Sequence, residues 1–141
     1  MNHKKAQQII TKTFKKYGVN DLVFDANETA LSFSFNHLTT PCTEGYNFDI
    51  HGTILLKSAY CCFKVLLYQM YKKKGIELCH KYNSKELFAR YYLDKDDCCI
   101  ISLEQPYHED SQLQDVLEFE LSYMVSDVFK DFFEEAKGCF R

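Results

Sequence analysis

The sequence predicts an α+β fold over residues 1–141, and three observations predict it. Apolar and polar residues alternate in segments that follow one another across short polar links, the pattern of antiparallel hairpins. Apolar residues recur at three- and four-residue steps at both ends of the chain and once in the middle, the pattern of helices. Strands arriving in hairpin-linked runs leave no room for the crossover of a dozen or more residues that each parallel pair needs. The expected architecture is an N-terminal helix, a curved antiparallel sheet of about five strands, a middle helix, and a long C-terminal helix packed on one face of the sheet.

The elements follow in order. From Asn2 to Tyr17, Ala6, Ile9, Ile10, Thr13, Phe14 and Tyr17 form one stripe with lysines between them, and Gly18 stops this first helix. Residues 21–25 and 29–35 read as a hairpin around Ala26-Asn27-Glu28. Leu31, Phe33 and Phe35 alternate there with Ser32 and Ser34, and Asn27 suits a turn conformation closed to most residues. Asn36 to Glu44 holds Pro41 and reads as a loop. An extended segment with Tyr46, Phe48 and Ile50 on one face bends after Gly52, and Tyr60 to Tyr68 is a nearly continuous apolar run, as in a central strand.

Residues 71–83 carry a weaker helical pattern in Ile76, Cys79 and Tyr82, which Gly75 weakens further. Leu87 to Leu93 and Cys98 to Leu103 form a hairpin about the polar link Asp94-Lys95-Asp96-Asp97. From Ser111 to Ala136 one long apolar stripe faces a set of carboxylates that includes Glu118, Glu120, Asp127 and Asp131, a solvated face. A helix of about 25 residues is some 37 Å long at 1.5 Å per residue, more than a small sheet needs for cover. Part of its apolar face, in particular Leu121, Met124, Phe129 and Phe133, is therefore free for a partner.

Composition excludes several classes. Seventeen basic against twenty acidic residues give a net charge of −3 with no basic stripe, which argues against nucleic acid. No apolar run approaches the length of a membrane span, and the polar opening Met1 to Gln8 lacks a secretory core, so a cytoplasmic protein is expected. Seven cysteines, an odd number with two vicinal pairs, suit reduced thiols rather than a disulfide framework.

No constellation nominates chemistry. There is no Cys-x-x-Cys knuckle for zinc; Cys79-His80 with one of the vicinal cysteines is the one set that could meet across a sheet, and buried thiols are the expected state. No local pattern joins a cysteine to His37, His51, His80 or His108, and the scattered glycines make no phosphate loop. Asp94, Asp96 and Asp97 lack the glycine and distal glutamate of a calcium loop. No metal, cofactor or catalytic residue is expected.

The stretch Tyr82-Asn83-Ser84-Lys85-Glu86-Leu87-Phe88-Ala89-Arg90-Tyr91-Tyr92-Leu93-Asp94, followed by Cys98 to Glu104 and the last helix, resembles the bacterial sensory-transduction-regulator family of the YbjN type. That resemblance implies the fold of type III secretion chaperones, in which helices pack on one face of a curved antiparallel sheet and dimers commonly form through it. The chain departs from the family in its cysteine-rich strands and in the segment between Tyr46 and Lys74. The resemblance implies an interaction module without catalytic residues. Asn83, Arg90 and Tyr91, which flank the transition from helix to strand, join Leu121, Met124, Phe129 and Phe133 as candidate partner-binding residues. The expected function is a non-enzymatic protein-protein interaction module with a regulatory or chaperone-like role, as a monomer or homodimer with an unnamed protein partner. The alternative is a domain that binds a small apolar ligand in an aromatic cavity lined by Phe33, Phe35, Phe48 and Tyr91.

Overall fold

The computed structural model describes residues 1–36 and 43–141. His37, Pro41 and Cys42, and most of the loop expected at 36–44, lie outside the described residues. The first helix, α1 (His3–Lys15), is capped by the Asn2 side chain, which accepts from the Lys5 amide at 2.8 Å. Strands β1 (Val23–Ala26), β2 (Ala30–Phe35), β3 (Asp49–Leu55) and β4 (Tyr60–Gln69) precede α2 (Lys72–Lys85). Strands β5 (Ala89–Leu93) and β6 (Cys98–Pro106) lead through a 3-10 turn, Asp110–Gln112, to α3 (Leu113–Met124) and α4 (Asp127–Lys137).

The α+β expectation holds, with six strands in place of about five, all antiparallel in the order β1-β2-β3-β4-β6-β5. Turn chemistry explains the hairpins. Asn27 keeps negative φ, contrary to expectation; its carboxamide instead accepts from the amides of Thr29 and Ala30, both at 2.9 Å. Asp94 does the same for Asp96 and Cys98, at 2.9 and 3.0 Å, and Asp97 closes that link with φ of 63°.

Register gives the sheet two unlike faces. One row runs Phe24, Phe33, Gly52, Phe63, Leu103 and Ala89 across all six strands. Every helix packs on this face: Phe14 of α1 meets Phe33, Phe35 and Phe63, while Tyr82 of α2 and Phe132 of α4 meet Tyr91. Tyr123 of α3 shares a 2.6 Å hydroxyl contact with Tyr91. Strand β3 runs through Gly52 without ending there. A Cβ at 52 would stand 2.0 Å from Cζ of Phe33, so glycine leaves room for that ring. Gly75 serves likewise in α2, where a Cβ would lie 3.0 Å from Leu93 Cδ1.

The expected single C-terminal helix is two helices. Ser126 caps α4 by accepting from the Phe129 amide at 3.2 Å and donates to the Tyr123 carbonyl at 2.6 Å, which ends α3. The break turns Val125 and Val128 out to solvent, 57% and 38% exposed, and lets both helices lay their remaining apolar residues on the sheet. Helix α2 runs to Lys85, so Asn83 lies inside it and does not close it.

Candidate functional site

The candidate partner-binding residues separate by burial. Tyr91, Leu121, Met124, Phe129 and Phe133 are all buried in the core. The surplus apolar face inferred from a 25-residue helix disappears with that helix, because α3 and α4 together use these residues to cover the sheet. Asn83 is taken up structurally: its carboxamide accepts from the Tyr91 amide and donates to the Tyr91 carbonyl, each at 2.8 Å, tying α2 to edge strand β5. Arg90 is exposed, at the end of a row on the opposite face of the sheet. The rings proposed to line an apolar cavity are packed against neighbours. Phe33 and Phe35 lie 5.3 and 5.1 Å from Phe14, Phe48 lies 6.0 Å from Phe133, and Tyr91 lies 4.6 Å from Phe132.

The face of the sheet away from the helices carries a different chemistry. Val23, Ser34, His51, Lys64, Ser102 and Arg90 form one row across the six strands. Asp49, Leu66, Ile100 and Tyr92 form the next row, and Asp25, Ser32, Thr53, Cys62 and Glu104 the one on the other side. Val23 is 65% exposed, and Leu55 and Tyr92 are also exposed. Glu104 accepts from the Tyr60 hydroxyl at 2.6 Å and from Ser102 at 3.3 Å, and these bonds hold its pKa below the usual range; the Tyr60 hydroxyl is pushed up to about 12, first by that bond. The period-two pattern announced a wet face on β2 and β3, but sequence alone does not set the register that aligns these rows.

One carboxylate lies on the opposite side of its helix from the solvated face expected for it. Glu120, expected on the solvated face, is completely buried, and its carboxyl finds no nitrogen or oxygen partner among the described residues, only the Cys61 thiol beside it. Within α3 the stripe Leu113, Val116, Leu117, Glu120, Leu121 and Met124 has continuous three- and four-residue spacing. That spacing was the available signal. Burial pushes the Glu120 pKa up to about 8; the adjacent Cys61 thiol pulls it down somewhat and Glu104 raises it.

Comparison with known proteins reports on the fold. No protein-family model matches the sequence, and no curated protein matches it. YbjN from E. coli, a candidate transcription regulator, superposes with a TM-score of 0.51 over 94% of this chain and 91% of its own, at 14% identity. The chain has the fold of YbjN. A chain of the HopA1-SchA chaperone-effector complex is similar at a TM-score of 0.47 and 12% identity, covering 89% of this chain and 95% of that one. The superposition on YbjN bears out the expected resemblance in the fold, across 94% of the chain.

Within this YbjN-like fold, the described thiols are poorly placed as nucleophiles. Burial raises Cys61 and Cys62, and a thiol contact with Cys79 together with burial raises Cys99. Cys79, which that same contact lowers, is itself buried. Among the described residues no group of three or more His, Cys, Asp or Glu side chains could hold a metal ion, and no helix is long and apolar enough to cross a membrane.

Proposed function

We propose that this chain is a non-enzymatic protein-binding module, working in the cytoplasm in a regulatory or chaperone-like role, that recognises its partner through the uncovered face of its sheet. The observation carrying this reading is the contrast between the two sheet faces. One is sealed by four helices; on the other, Leu66, Ile100 and Tyr92 run side by side across β4, β6 and β5, next to the row that holds Lys64 and Arg90, while Val23 and Leu55 stand singly elsewhere on it. Apolar patches rimmed by charge are the usual composition of protein-binding surfaces, and Tyr and Arg are enriched at their energetic centres. A second copy of the chain is one candidate partner for the same face.

The test compares Tyr92→Glu and Leu66→Lys with Gln8→Glu on the outer surface of α1. Light scattering against concentration reads self-association relative to the 16.6 kDa chain, and affinity capture reads a foreign partner. Face substitutions should abolish whichever association the wild type shows while thermal stability is kept, and Gln8→Glu should leave it intact. Association unaffected by both face substitutions would overturn the reading.

A further inference from the structure

On the uncovered face of the sheet two residues of β6 are buried although no helix lies above them. Ser102 is 4% exposed and Ile100 5%. Their cover comes from the neighbouring strands, and the register names it: Lys64 and Arg90 stand on either side of Ser102, Leu66 and Tyr92 on either side of Ile100. The serine is short and the two cationic side chains are long. Their aliphatic stems therefore lean over it, which brings the charged heads toward one another above β6.

Those heads lack an acceptor. Glu104, further along β6 on the same face, lies in the field of both: its pKa is held low first by the Tyr60 hydroxyl, then by Ser102, Arg90 and Lys64. Its oxygens, however, are taken up by other donors. Oε2 accepts from Tyr60 at 2.6 Å, and Oε1 accepts from Ser102 at 3.3 Å and from the Cys62 thiol at 3.8 Å. Among the described residues neither Lys64 nor Arg90 closes an ion pair. Two heads rich in N–H donors thus share the field of one carboxylate whose lone pairs are spent elsewhere. One positive charge is left over, which a single carboxylate balances and a dianion, facing Glu104 at close range, would overshoot.

We propose that Lys64 and Arg90 clamp an Asp or Glu side chain of the protein partner above Ser102, while an apolar side chain of the same partner segment lies on Leu66 and Tyr92. The guanidinium fork of Arg90 suits a carboxylate, and the ammonium of Lys64 adds charge without demanding a geometry. The two rows are two residues apart along each strand, about 7 Å, which sets the spacing between the partner's acidic and apolar groups. This inference rests on the protein-binding function proposed above and gives the partner of that same face a chemistry: acidic and apolar residues in alternation.

The test titrates the full, isotope-labelled chain with N-acetyl-glutamyl-alanyl-phenylalanine amide and reads amide chemical shifts. Saturable shifts centred on Arg90, Tyr92 and Ser102, with a Kd on the order of 1–10 mM, are expected for one ion pair and one ring. The glutaminyl counterpart should bind about fivefold more weakly or worse, and the lysyl counterpart more weakly still. Arg90→Gln and Lys64→Gln, both on the surface, should each weaken the glutamyl peptide about threefold or more, whereas Lys73→Gln on exposed α2 should not. No saturable shift up to about 50 mM, equal affinity for the three peptides, undiminished binding to both variants, or tighter binding of inorganic phosphate at the same residues would each overturn the proposal. Partner association lost in Tyr92→Glu but kept when Lys64→Gln and Arg90→Gln are combined would also overturn it and leave the sheet-face reading standing. Association that survives both Tyr92→Glu and Leu66→Lys sinks the sheet-face reading itself, so the two failures are distinguishable.

Discussion

Replacing Glu120 by Gln should stabilise the protein, and by more as pH rises. In the folded chain burial holds the carboxyl pKa up to about 8, against 4.5 for the free group. Between those values the folded form keeps a proton that the unfolded chain has released. Stability therefore falls as pH rises through this window, by about 1.4 kcal/mol per pH unit at most. The accumulated cost is about 1 kcal/mol at pH 5 and about 4 kcal/mol at pH 8. Glutamine has the same shape and no proton to lose, so it escapes this cost. Glu104, Glu118 and Glu135, whose pKa values are lowered by their hydrogen-bonding partners, act in the opposite sense and at more acid pH. Urea denaturation of both proteins at pH 5, 6, 7 and 8, with no cationic ligand in the buffer, should give ΔG curves that diverge by about 3 kcal/mol across the series. Parallel curves would show that Glu120 is ionised or paired in the folded state and would refute the reasoning.

Other perturbations follow from the packing. Asn83→Ala removes both hydrogen bonds to the Tyr91 backbone and should destabilise by about 1–3 kcal/mol in urea melts, with faster amide exchange along β5. Gly52→Ala drives a methyl into the Phe33 ring and should cost about 1–3 kcal/mol, of which Phe33→Leu in the same chain should restore part; strict additivity would contradict the contact. Pulsed iodoacetamide labelling read by peptide mass should modify the half-buried Cys62 and Cys98 well before Cys61, Cys79 and Cys99, which should react only on unfolding.

The hairpins were legible in the sequence because their signals are local. The link from Asp94 to Asp97 has its predicted ends, and the alternation of Leu31, Phe33 and Phe35 marks the face that α1 covers. The C-terminal break was not legible by periodicity alone, because Val125 and Val128 extend an apolar count that only the Ser126 cap interrupts. The face of Glu120 was legible from its spacing to Val116, Leu117 and Met124; its charge, and not its position, argued for the solvated side. The sheet face was half legible: alternation says that a wet face exists, but the row from Val23 to Arg90 arises only when every strand pairing is in register, the most distant joining Lys64 of β4 to Ser102 of β6. The bend expected after Gly52 does not account for the glycine, whose close approach to the Phe33 ring is a property of register.

The central claim is that recognition happens on the uncovered sheet face, and site-specific photo-crosslinking tests it most directly. A photoreactive residue at His51 or Arg90 should yield discrete protein adducts on irradiation in the cell, whereas the same residue at Gln8 or Lys73, exposed on α1 and α2, should yield none. Adducts confined to the helical positions, or equal at all four, would contradict it.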